Sequence, residues 1–184
     1  MDKEVAAGCT GCTLQRCGKS LKATLVFKRG ELLYDVENYS FVEADIMKAD
    51  NEHLRHQVFD VGEDGNVDLV TRMFNLAHAE CVEDLYPFTK AECEDGMELD
   101  DGLVEHEEYK IELTLPADFS HSTVVLLKEL VHKYFVVRVL AEWMGITNPG
   151  STAGWQAKLE ELERQMKSAL ACRRNRVRIR LHPF

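Results

Sequence analysis

Apolar and polar positions divide this chain into strand-like alternation towards the front and helical spacing behind. LKATLVF (21–27) and ELLYDV (31–36) flank Lys28-Arg29-Gly30, two β-rich runs around a glycine-containing turn, and this predicts a hairpin. NYSFVEADIM adds alternation at Tyr39, Phe41 and either Ala44 or Ile46. Residues 48–66 are polar and turn-rich, with HQVFDV a candidate short strand. From residue 67 the period changes. Val67, Val70, Phe74, Ala77, Cys81 and Leu85 fall on one face of a helix over 67–86, with Asn66 as its N-cap and Pro87 placed where it cannot extend the helix. YKIELTLP (109–116) alternates again and reads as a strand.

Two more helices follow. Asp118, Ser120 and Ser122 offer N-caps for a long one over 120–145. It carries two apolar stripes, Leu126, Leu130, Val137, Leu140, Met144 and Leu127, Val131, Tyr134, Ala141, so it is either central or covered by a neighbouring subunit. Gly145 and ITNPG end it. The last helix, 151–172, has Ser151 or Thr152 as cap, one stripe at Trp155, Leu159, Leu162, Met166 and Leu170, and a charged opposite face. Beyond it Val177, Ile179 and Leu181 alternate with Arg176, Arg178 and Arg180, the period of a strand with one apolar and one cationic face. The expected fold is therefore α+β and mainly α: a three-helix core with an N-terminal β-hairpin, a short middle strand and a C-terminal basic strand. One domain spans 1–184, divided into an extended arm (1–19), a β-hairpin region (20–66), a helical core (67–172) and a basic strand or arm (173–184).

Charge sharpens the picture at the C-terminus. The chain has 22 basic and 32 acidic residues, a net charge of −10. The final RRNRVRIRLHPF holds five arginines and no acid, so the remainder stands at −15. A body this acidic repels phosphates, which argues against generic duplex binding. The tail needs a counter-surface, and Arg173, Arg174, Arg176, Arg178, Arg180 and Phe184 are its candidate interface residues. Three readings are open. The tail adds to a neighbour's sheet with its cations on an acidic surface; it binds phosphate; or it pairs internally with 109–116, its arginines neutralised by the acids at 92–108. No apolar run approaches a spanning helix, and MDKEVAAGCTGC has no signal-peptide core, so the expected compartment is a cytoplasm with reduced thiols.

Candidate chemistry is sparse. Cys9-x-x-Cys12-x4-Cys17 resembles the first three positions of a zinc knuckle, with Cys in the His place. The fourth ligand would fall at Lys22, which cannot serve, so zinc needs a distant group such as Cys93 or a histidine; otherwise this is a small-residue arm with incidental thiols. Asp60 to Asp68 superficially suggests a calcium loop, but Gly62 and Thr71 stand where oxygen ligands are required, and Asp-Gly-Asn is a ready-made turn. His53-x-x-His56, beside Glu52, lacks a third ligand at a known distance. His78-x-Glu80 lacks the downstream Pro-Cys-x-x-Cys of a zinc deaminase, and His132 reads as a packed or surface histidine. No phosphate-cradling loop, dinucleotide fingerprint or nucleophile elbow is present. The expectation is no enzymatic activity, no catalytic residue and no cofactor.

Three stretches carry a family resemblance. VDLVTRMFNLAHAECVEDLYPFTK, LLKELVHKYFVVRVLAEWMG and GWQAKLEELERQMKSALACRRNRVR resemble, in order, the first, central and closing helices of the head–tail connector (adaptor) proteins of tailed bacteriophages. The chain is also similar to structural proteins in prophages of gut Bacteroidetes. The likeness spans 67–184. It implies a virion subunit assembled in the host cytoplasm into a homo-oligomeric ring, a dodecamer, beneath the portal protein. Further partners are a tail or neck protein and DNA as passing cargo, with no membrane. An acidic body suits a channel that must not hold DNA. A tail-terminator or other tail component is the alternative, and a small metal-binding regulatory or interaction protein built on the Cys9–Cys17 arm is the alternative of another class. Deleting 173–184 is expected to leave a folded monomer that cannot assemble. Retention of the native oligomer rules out the tail as the assembly contact, and failure to fold favours the internal strand.

Overall fold

The computed structural model describes residues 12–17, 20–47, 52–91 and 100–171 of the chain. Among these, three strands form one antiparallel sheet in the order β1 (Cys12–Cys17), β2 (Ser20–Lys28), β3 (Glu108–Pro116). The register follows from alternation. Leu21, Ala23, Leu25 and Phe27 of β2 stand opposite Leu115, Leu113, Ile111 and Tyr109 of β3, and all eight are buried. Lys22, Thr24, Lys110, Glu112 and Thr114 take the other face. A one-residue slip would send every apolar side chain into water, so the pairing is specified along its whole length.

Five α-helices accompany this sheet among the described residues: α1 (Arg29–Ile46), α2 (Glu52–Phe59), α3 (Val67–Asp84), α4 (His121–Thr147) and α5 (Pro149–Ala171). The architecture is α+β and mainly α, as the sequence pattern predicts. Helix α4, about 40 Å long at 1.5 Å per residue, is the axis of the molecule. Apart from Leu126, which is 49% exposed, its two stripes are buried within the chain, by the sheet, α1, α2, α3 and α5. Asn148 alone separates α4 from α5, so the two helices fold back as an antiparallel pair. Helix α3 ends at Asp84, just before the cis Tyr86–Pro87 peptide. Asn66 is its N-cap, although the side chain donates to the Asp60 carbonyl instead of capping the helix.

The region 20–66 departs from expectation. Its predicted hairpin around Lys28-Arg29-Gly30 does not form. Lys28 is the N-cap of α1, and ELLYDV and NYSFVEADI are helical. The hairpin is instead β1–β2, one element earlier, with Cys17 opposite Ser20. HQVFDV is likewise helix α2 running into a 3₁₀ turn, not a strand. The cause is physical. Apolar residues sit all round α1 because one side packs inward through Leu32, Val36, Ser40 and Ala44 while Tyr34, Tyr39, Phe41, Val42 and Ile46 remain outside. Such a helix shows no single stripe, and its neighbours mimic alternation. Arg55 of α2 closes its end by donating to the carbonyls of Ala44 and Asp45 at 3.2 and 3.0 Å, where α1 has no basic residue of its own. Trp143 Nε1 of α4 donates to the Val58 carbonyl at 2.7 Å and so ties α2 to the axis.

Beyond β2 the outer edge of β3 is also engaged. Thr114 N–H donates to the Phe88 carbonyl at 2.7 Å, and the Lys110 carbonyl meets His78 Nε2 at 2.9 Å. β2 thus holds one edge of β3, and α3 with its following turn meets the other at these two points. The tail itself, 173–184, lies outside the described residues.

Trp155 opens the inward stripe of α5 and is 3% exposed. Trp155→Ala is expected to lower the unfolding free energy by ~3–5 kcal/mol, the range for emptying a large aromatic site, as measured by urea denaturation. An unchanged midpoint would show that the indole contributes no packing.

Candidate functional site

A cleft of about 1240 Å³ lies between α1, the end of β2, and the α4–α5 pair. Helix α1 follows β2 without a linker, so Asp35 and Tyr39 are carried over the flank of α4. His132 on α4 meets Asp35 through Nε2 and Oδ2 at 2.9 Å. Phe27 packs beside this imidazole, with ring centroids 6.3 Å apart. Deeper along the cleft Tyr39 meets Trp155 edge-on at 5.7 Å, and Lys158 Nζ lies 3.8 Å from the centre of the indole ring. That last contact is a cation–π geometry worth about 0.5–1 kcal/mol at an exposed site.

An orientated histidine–carboxylate pair activates a nucleophile when a hydroxyl or thiol stands next to it; among the described residues the cleft lining contains no serine, threonine or cysteine, and its hydroxyl is the Tyr39 phenol. It contains five lysines and five carboxylates, so its charges balance and it does not concentrate one sign as a phosphate-binding cleft does. Its aromatic and aliphatic side chains supply the attractive surface.

A second polar cluster joins α3, α4 and α5. Arg138 makes a two-pronged contact with Glu80, Nε–Oε2 2.6 Å and Nη2–Oε1 3.1 Å, and a third bond to Glu142 at 2.8 Å. The hydrogen bonds that Arg138 donates to Glu80 hold the guanidinium above its ordinary range against the opposing effect of burial, so it stays charged. Lys167 of α5 meets Asp84 at 2.8 Å. Burial pushes the Tyr134 phenol and the Cys81 thiol up, and Glu80 and Asp84 respectively add to the shift. Both groups stay protonated at neutral pH, which makes Cys81 a packed thiol, not a reactive one. The cluster fastens three helices together.

The other sequence candidates separate in space. Glu80 is taken up by Arg138, while His78 meets the Lys110 carbonyl and stacks on Phe135 at 6.2 Å, so His78-x-Glu80 is not a metal-and-base pair. His53 and His56 are exposed on α2, and His56 lies against Phe59. The Asp60–Asp68 stretch forms two 3₁₀ turns and the start of α3, closed by Asn66 Nδ2 on the Asp60 carbonyl at 2.7 Å. Among the described residues no three His, Cys, Asp or Glu groups are placed to hold a metal ion. The Cys9, Cys12, Cys17 set meets a geometric obstacle. Cys12 and Cys17 begin and end an extended strand, about 16 Å apart at 3.3 Å per residue, whereas zinc thiolates share one ion at about 2.3 Å each. Those two cannot ligate the same zinc. Cys9, Cys93 and the interface set Arg173, Arg174, Arg176, Arg178, Arg180 and Phe184 lie outside the described residues.

Within the acidic stretch the described part, 100–108, is partly neutralised by the body. Arg29, at the β2–α1 junction, pairs with Glu105, donates to Thr71 Oγ1 at 3.0 Å, and its N–H donates to the Glu107 carbonyl at 2.9 Å. Arg72 approaches Asp101 at 3.6 Å. Asp35, Tyr39 and Lys158 escaped the sequence reading because the cleft exists only once α1 is a helix. The four-residue spacing of Leu32, Val36, Ser40 and Ala44 was the available signal.

No protein-family model, curated protein or solved structure matches this chain.

Glu163 supplies a pH test of the three-helix cluster. Burial raises its carboxyl above the ordinary range, the nearby Asp84 carboxylate raises it further, and Lys167 offsets this in part. The folded state therefore holds that proton more tightly than the unfolded chain. Its contribution to stability falls as pH rises from the ordinary carboxylate value of about 4.3 through the raised folded value. Glu163→Gln is expected to melt higher than the parent at about pH 7.5, with the difference vanishing below about pH 4. A melting difference that does not change between these two pH values would remove Glu163 as the titrating group.

Proposed function

We propose that this protein is a non-enzymatic structural subunit of a tailed-bacteriophage virion, a head–tail connector that assembles with further copies of itself into a ring between portal and tail. The observation that carries the reading is the outer side of α1. Tyr34, Tyr39, Phe41, Val42 and Ile46, on one 18-residue helix, are 48–70% exposed. Apolar surface concentrated in this way marks an interaction site more often than an idle surface. A balanced cleft without a nucleophile next to its histidine–carboxylate pair, and a body whose long axial helix is already enclosed, fit a part that acts by being held in an assembly. The three helices α3, α4 and α5 coincide with the stretches that resemble connector helices. The net negative charge suits a wall past which DNA moves.

No helix among the described residues is long and apolar enough to cross a membrane, so the partners proposed are proteins: the same chain, a portal protein and a tail or neck protein. The test is the mass of the purified protein in solution, alone and mixed with a candidate portal protein. The reading expects a discrete oligomer, or a discrete complex with the portal, at micromolar concentration. A protein that stays monomeric under both conditions is not a connector.

A further inference from the structure

We infer that the outer face of α1 is the docking surface for the cationic C-terminal segment, residues 173–184, of a second copy of this chain. The inference rests on the assembly reading above and supplies its contact.

At 3.6 residues per turn the exposed side of α1 is an arc of roughly 160°. On it lie Tyr34, Tyr39, Phe41, Val42 and Ile46, interleaved with Glu31, Asp35 and Asp45, and no basic residue. The surface is thus apolar and anionic together. A second copy's α1 is a poor occupant, because symmetric packing sets the same carboxylates against one another, and like charges brought together cost affinity. The fitting occupant is apolar and cationic. Residues 173–184 have that composition: five arginines, no acid, and Val177, Ile179 and Leu181 alternating with Arg176, Arg178 and Arg180. Fully extended, a twelve-residue segment reaches about 40 Å, enough to follow the ~27 Å of an 18-residue helix.

On α1, Glu31 meets Lys28 at 3.7 Å and Asp45 meets Arg55 at 3.9 Å. Long, solvated pairs of this kind contribute little, so arginines can share them at small cost. The acids at 100–108, with Asp101 3.6 Å from Arg72 and fully exposed, are the competing surface.

The experiment uses full-length protein carrying p-benzoylphenylalanine in place of Leu181, with isotopically light and heavy chains mixed before illumination. Mass spectrometry then separates links between copies from links within one. Links between copies that map to residues 29–46 are the expected result. Links between copies that map elsewhere, such as 100–108, overturn the docking surface and leave assembly standing. Links confined to single chains overturn it as well, by making the segment its own chain's strap. A monomeric mass with no links between copies removes the assembly reading along with the inference. As a second measurement, full-length Val42→Glu is expected to keep its helical circular dichroism and to self-associate about tenfold more weakly, a loss of about 1.4 kcal/mol. Unchanged association of this variant overturns the proposal.

Discussion

The structure depends on one constraint, the need to enclose α4. Fourteen of its residues are buried, from Thr123 to Met144, and they point in every direction around the helix. No single surface can cover such an element. The sheet takes one side through Phe27 against Phe135, at 5.5 Å; Tyr109 joins the same stack at 5.6 Å. Helices α1, α2, α3 and α5 close the remainder. Each large side chain removed from water contributes about 1.5–3 kcal/mol, so the enclosing elements are held mainly by what they do for α4.

Polar contacts then select among ways of closing that shell. Trp143 donates to the Val58 carbonyl, Arg138 bridges Glu80 and Glu142, His132 meets Asp35, and Arg29 reaches Thr71 and Glu105. The first three join α4 to α2, α3 and α1, and the last joins the start of α1 to α3; each would leave a partly buried charge or donor unpaired if its helix were displaced. A misplaced helix loses more through such an orphaned group than through ordinary loss of contact. Apolar burial sets which elements gather, and these bonds set their order.

The legibility of the sequence follows the same division. Helices α3, α4 and α5 and strand β3 were readable to within a few residues, because each presents its apolar positions at one period or, for α4, at helical spacing twice over. Strand β2 was readable for the same reason, as Leu21, Ala23, Leu25 and Phe27 all face inward. Helix α1 was not. Its outward Tyr39 and Phe41 combine with its inward Ser40 and Ala44 to imitate a strand, and only the tertiary contact of Leu32 and Val36 decides against it. The cleft was hidden as a consequence, since Asp35 and Tyr39 reach His132 and Trp155 across 97 and 116 positions. The spacing of the cysteines counts residues, and β1 converts the interval from Cys12 to Cys17 into distance.

The closed margin of β3 has a consequence for the protein at high concentration. A sheet propagates from molecule to molecule when a strand leaves its amide and carbonyl row open to be copied. Here the imidazole of His78 and the Phe88 carbonyl sit across the row beyond β3, so that row is interrupted at Lys110 and Thr114. At high concentration this margin of the sheet is therefore obstructed against copying by another molecule's strand.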